Sequence, residues 1–169
     1  ITFAPGLLTV PESLHGGLVV AGPRAGSKTD ELTIPEGLGP DIAGLSTKVT
    51  FVESLPPFAP MALAGGGAFI KWREAIETTD AVILHLEGGA PAAVRQGQMI
   101  YIAGWPDDAG WLRILEMLAE QAGLDLLNLP PDLRLRETDS HRFWFNYGPR
   151  TVTYQEMTLP AAGVHWEAK

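Results

Sequence analysis

Glu74 with Glu77, and the adjacent pair Asp107 and Asp108, are the carboxylates whose closeness invites acid–base chemistry. Cleaving a glycosidic bond uses two carboxyl groups facing each other across the linkage, one of them acting as acid. Residues 74 and 77 fall in a strand-like segment, where an odd separation sends side chains to opposite faces. Asp107 and Asp108 stand before a helical pattern, and capping its first turn accounts for them. Neither pair is expected to converge. Gly22-Pro23-Arg24-Ala25-Gly26-Ser27-Lys28-Thr29 follows a strand and resembles a phosphate loop, which needs G-x-x-x-x-G-K-[ST]. Ser27 stands where the second glycine belongs and Pro23 removes a backbone donor. Thr33-Ile34-Pro35-Glu36-Gly37 then breaks the helix whose N-terminus would hold the anion. A structured loop is the expectation.

His15, His85, His141 and His165 show no metal-ligand spacing. Ser27 and Ser46 lack the G-x-S-x-G turn that would activate a serine. The chain has no cysteine, which excludes disulfides, thiolate nucleophiles and cysteine-held zinc. No catalytic residue, metal site or cofactor is therefore predicted. Trp72, Trp105, Trp111, Trp144 and Trp166 remain, mostly inside apolar patterns where core packing is expected. An exposed aromatic can stack on a sugar or anchor an interface. Trp105, between Gly104 and Pro106 where a strand ends, is the best candidate, with Arg24 and Trp72 as further interface candidates.

The elements that would position these residues come from a chain of 169 residues, 46% hydrophobic and 19% charged, as in ordinary globular proteins. A net charge of -8 without a Lys/Arg cluster argues against a nucleic-acid partner. No apolar run approaches the ~20 residues of a membrane helix, so no membrane partner is expected. No signal-peptide pattern opens the chain. It starts at Ile1, without methionine and within a strand-like segment, as expected of a portion of something longer.

Strands are predicted at 1–4, 17–21, 48–55, 68–76, 81–86, 91–95 and 99–103, with Gly88-Gly89 supplying a hairpin turn. In the 48–55 strand, Val49, Phe51 and Leu55 are placed on one side. One helix is predicted, capped by Asp107 or Asp108 and closed by Gly123. Its apolar face is Trp111, Leu115, Leu118 and Ala122. After Pro130-Pro131 no helical period appears. Leu133–Arg136, His141–Phe145, Thr151–Tyr154 and Val164–Trp166 read as a small antiparallel β unit.

Several segments in order resemble the rear part of glycoside hydrolase family 42 β-galactosidases. They are Gly17–Thr29, Ile34-Pro35 with Gly39-Pro40, Lys48–Leu55, and Trp72-Arg73-Glu74. Gly89–Ala92, Tyr101–Asp107, Phe145-Asn146-Tyr147-Gly148-Pro149 with Val152-Thr153, and Leu159–Val164 continue the series. The resemblance implies an α/β fold: a glutamine-amidotransferase-like (flavodoxin-like) sheet with flanking helices over 1–129, helping to hold a homotrimer. A small antiparallel β domain over 130–169 would follow. Both catalytic glutamates of that family lie in an upstream barrel not present here, so none is carried over, and galactoside would be met through that barrel. The amidotransferase reaction itself needs a nucleophilic cysteine, which this chain lacks. A cytoplasmic location is expected. One departure stands out: a parallel crossover needs about a dozen residues or more, and Pro11–His15 is too short. Either the first segment is not a parallel strand, or residues are missing between Val10 and Gly17; the second is expected.

The leading expectation is thus a non-catalytic oligomerisation portion of a β-galactosidase that hydrolyses terminal β-D-galactosyl residues. The alternative is a carbohydrate-binding β module of a multidomain glycosidase, using Trp144 or Trp166. A free-standing α/β enzyme with carboxylate chemistry is a third reading.

Overall fold

The computed structural model describes residues 17–25 and 44–169. The stretch between Val10 and Gly17, His15, Ser27, and most of the 22–40 loop lie outside the described residues. The chain divides into two compact units, Ile1–Leu124 and Asp125–Lys169. Among the described residues there are thirteen strands in several small sheets and a single α-helix. The expected flavodoxin-like α/β sheet with flanking helices is therefore incorrect: the fold is mostly β. The physical reason is in the connections. A parallel strand pair needs a long crossover, whereas β5 (Ala81–His85), β6 (Pro91–Gln96) and β7 (Met99–Ile102) are joined by tight turns and pair antiparallel. Among the described strands only β1 (Val19–Ala21) lies parallel to its neighbour, against β7.

β7 is the centre of the first unit. Its four residues are all buried, and strand alternation divides them between two cores. Ile100 and Ile102 pack with Val20, Leu63, Phe69 and Ile114. Met99 and Tyr101 pack with Ala21, Val49, Ile76 and Val94. A second sheet is built on the long strand β4 (Ala68–Thr78), which pairs with β2 (Thr47–Ser54), β3 (Met61–Ala62) and β8 (Gly104–Pro106). Arg73 is paired on both sides, with Glu53 and with Gly104.

Two details depart from the periodicity reading. In β2 the register slips between Val49 and Phe51. A bulge inserts an extra residue and reverses the phase of the residues after it. Val49 is buried, while Phe51, expected beside it, is 55% exposed. In helix α1 (Asp108–Gln121) the buried face is Gly110, Ile114, Leu118 and Ala119. Leu115, placed inside by the apolar count, is exposed. The helix is turned by its contact at Gly110, which demands the closest approach of backbone. It does not reach the length and apolarity needed to cross a membrane, nor does any helix among the described residues.

That contact explains the Gly65-Gly66-Gly67 turn. Asp107 caps α1, its Oδ1 accepting from the Gly110 amide at 2.7 Å and from the Ala68 amide at 3.0 Å. Arg113 donates to the carbonyl of Ala64. Gly67 has φ +78°, and a Cβ there would sit 2.4 Å from the Gly110 Cα. Gly123 ends the helix region at φ 65°, as its position in the sequence predicts.

The second unit pairs β10 (His141–Asn146) with β9 (Leu133–Glu137) and β13 (Val164–Ala168), all antiparallel. A separate hairpin joins β11 (Val152–Tyr154) to β12 (Met157–Leu159). Leu133, Trp144 and Leu159 form its core, with Tyr154 and Met157 packed alongside. Asn146 is buried and ties the irregular segments together. Its Nδ2 donates to the carbonyls of Arg150 and Pro160 at 2.7 Å each, and its Oδ1 accepts from the Gly148 amide at 2.9 Å. Those bonds explain the Asn146-Tyr147-Gly148-Pro149 stretch in local terms. The amide closes the turn, and Gly148 leaves room for Asp132, whose Oδ2 would lie 2.6 Å from a Cβ there.

Gly67→Ala combines a left-handed backbone with overpacking, and should cost about 3 kcal/mol or more. Gly88→Ala, which meets nothing within 4 Å, should stay within about 0.5 kcal/mol of the parent. Paired thermal and urea unfolding of the two variants measures the difference.

Candidate functional site

In β4, Trp72, Glu74 and Ile76 lie at alternate positions, so one face carries all three. Ile76 is in the core, and Glu74 goes in with it: its residual exposure is 3%. A carboxylate cannot be buried at acceptable cost without donors, and here they come from three parts of the chain. The backbone amide of Arg24 donates to Oε1 at 2.9 Å. Trp72 Nε1 donates to the same oxygen at 3.2 Å. The Tyr101 hydroxyl, from β7, donates to Oε2. Glu74's own amide donates to the Ala103 carbonyl at 2.7 Å, binding β4 to the end of β7.

Arg24 reaches this point because its φ is 68°, a left-handed geometry uncommon outside glycine. Its guanidinium lies 5.5 Å from the centre of the Trp72 ring, a cation–π contact. Two of the three interface candidates, Arg24 and Trp72, are thus brought together, although their positions are far apart in sequence. Trp105 lies on β8 and is 39% exposed. Pairing Glu74 with Glu77 as an acid–base couple hides its part as a hub. The alternation of Trp72, Glu74 and Ile76 is the sequence signal that points to it.

Burial, then the negative charge of Glu74 and the hydrogen bond to it, push the Tyr101 hydroxyl well above the ordinary tyrosine range. It therefore serves as a neutral donor. Glu77 is exposed and does not face Glu74, as strand alternation predicts. Asp107 is the helix cap, and Asp108 lies in the first turn. Asp80 accepts from Thr47 Oγ1 at 2.6 Å, a separate and locally satisfied bond. Among the described residues no group of three or more His, Cys, Asp or Glu side chains could hold a metal ion. Glu74 is a structural latch joining β4, β7 and the Gly22–Ala25 turn. Its acceptor oxygens are occupied by donors of the protein.

The remaining tryptophans divide by environment. Trp111 packs against the first core, and Trp144 is buried in the second unit. Trp166 is 60% exposed on β13. His141 stacks edge-on to Trp166 with ring centres 5.4 Å apart. His85 and His165 are exposed.

No family model matches the sequence. It is 43% identical over 141 residues to a β-galactosidase of Thermus thermophilus, a match covering 80% of this chain and 22% of that protein. The fold is similar to a crystal structure of the β-galactosidase from the psychrophilic Marinomonas ef1. That match has TM-score 0.81 and 31% identity, over 96% of this chain and 28% of the other. Gan42B, a GH42 β-galactosidase from G. stearothermophilus, shares the fold at TM-score 0.70 and 15% identity, over 96% of this chain and 31% of its own. Such coverage defines a β-rich region corresponding to one portion of much larger glycosidases. The chain is similar to one portion of these β-galactosidases and spans about a fifth of the curated relative's length (22%).

Replacing Glu74 by Ala strands three donors and opens a cavity, and should cost roughly 3 kcal/mol or more. Tyr101→Phe removes one donor while keeping the ring, and should cost about 1–2 kcal/mol. Because the folded Tyr101 pKa is raised, its contribution is fully present below the unfolded value of about 10. It is lost as pH rises beyond that, since the unfolded chain then releases a proton the folded one retains. Thermal unfolding across alkaline pH should show a steep decline for the parent and a shallower one for Tyr101→Phe.

Proposed function

We propose that this chain is the non-catalytic rear portion of a β-galactosidase whose parent hydrolyses terminal β-D-galactosyl residues through a barrel outside this sequence. The observation that carries the reading is the coverage. Nearly the whole chain aligns with under a third of β-galactosidase structures, and the deeply buried carboxylate of Glu74 is taken up by the chain's own donors. In this reading residues 1–129 are an assembly domain holding a homotrimer, and 130–169 are the C-terminal β domain. The parent would act in the cytoplasm. Arg24, Trp72 and Trp105 are the residues proposed to shape or support the subunit contact.

Exposed apolar side chains on unit 1 favour an assembly role. Phe58 is 88% exposed and Leu112 62%, and Phe51 projects outward from its bulge. Large apolar groups left in water are what a subunit interface covers. Light scattering on the full-length parent should give a trimer, and a monomer would overturn the assembly role. The chain by itself should not hydrolyse a chromogenic β-galactoside, and turnover above background would overturn the non-catalytic reading.

A further inference from the structure

The second unit holds a cleft that the latch and the assembly reading do not use. It lies between the β10–β13 sheet and the β11–β12 hairpin, with a volume of about 420 Å³. That is within the roughly 300–1,000 Å³ of small-molecule sites. Its apolar wall is Trp144 with Tyr154, their ring centres 5.6 Å apart and tilted by 40°. His165 lies directly across from Trp144 in the strand register. Glu156 comes from the turn between β11 and β12, Thr158 from β12, and Glu167 from the same face of β13 as His165.

The chemistry of this wall selects among ligands. Two carboxylates and no lysine or arginine line it, so phosphates and other anions are repelled. Carboxylates accept strong hydrogen bonds from hydroxyl donors. His165 can donate or accept. An aromatic wall offers a face for the C–H side of a pyranose ring, while its polar neighbours take the hydroxyls. Arg142 sits outside the wall, its Nη1 3.9 Å from Glu167, and steadies that carboxylate. Trp144, singled out from sequence as a sugar platform, is mostly buried and forms the floor. Trp166 belongs to the opposite face, across from Phe143.

We propose that this cleft binds a neutral hexopyranoside, with Tyr154 and Trp144 against the ring and Glu156 and Glu167 accepting from its hydroxyls. The proposal does not depend on trimer formation, since every residue in it belongs to one unit of one chain. The test is a titration of the ¹⁵N-labelled chain with methyl β-D-galactopyranoside, followed at the Trp144 indole and the His165 amide. Saturable shifts in the millimolar range are expected. Glu156→Ala, an exposed turn substitution, should weaken binding by about tenfold, equivalent to one charge-assisted hydrogen bond, with an unchanged melting temperature. Tyr154→Ala should abolish the shifts. Three results would each overturn the proposal: no saturable shift, shifts that survive Glu156→Ala undiminished, or saturation by tetramethylammonium but not by the sugar.

Discussion

The first unit depends on one costly act: placing the Glu74 carboxylate inside the protein. A buried carboxylate without partners would cost more than most single contacts return. The fold meets that demand by gathering donors from Trp72 on the same strand and from two distant segments, at Arg24 and Tyr101. Tyr101 must therefore sit on β7 opposite β4, Trp72 must turn its indole inward, and the Arg24 turn must adopt a left-handed backbone. The same bonds bring the two sheets of the unit together, because Glu74 also joins the end of β7 through its own amide. What reads as an acid–base candidate is the joint of the structure.

A similar economy holds elsewhere. Asp107 caps the helix and at the same time accepts from Ala68, so helix start and strand start are fixed by one side chain. Asn146 does for the second unit what Glu74 does for the first, bonding to backbone at Gly148, Arg150 and Pro160 and at the end of β12. In each case a polar residue in an irregular region carries the geometry that apolar packing cannot specify, since packing is non-directional and hydrogen bonds are not.

These hubs also shape the functional reading. Acceptors filled by the protein's own donors are not open to a substrate. The contrast within the second unit is instructive. Its core is closed around Asn146 and Leu133, but between β13 and the β11–β12 hairpin it leaves a cleft floored by Trp144 and edged by polar groups.

Local periodicity alone was enough for the helix with an aspartate cap and a Gly123 end, the Gly88-Gly89 hairpin, and the β character after Pro130-Pro131; the structure chose Asp107 over Asp108 as the cap. These features depend on neighbours a few residues apart, whose preferences survive in any context. The absence of further helical periods among the strands was legible too, and the implied flavodoxin-like sheet went against it. Tertiary structure decided the rest. The bulge between Val49 and Phe51 that turns Phe51 outward belongs to the pairing of β2 with β4, and the face of α1 that buries Ile114 instead of Leu115 goes with the close approach of Gly67 to Gly110. Trp72 is linked to Glu74 by strand alternation, but Arg24 and Tyr101 lie tens of residues away, and no spacing rule connects them to it. Residue types fixed which groups needed partners; only the folded chain decided which groups those partners would be, because hydrogen bonding is satisfied in space and not along the sequence.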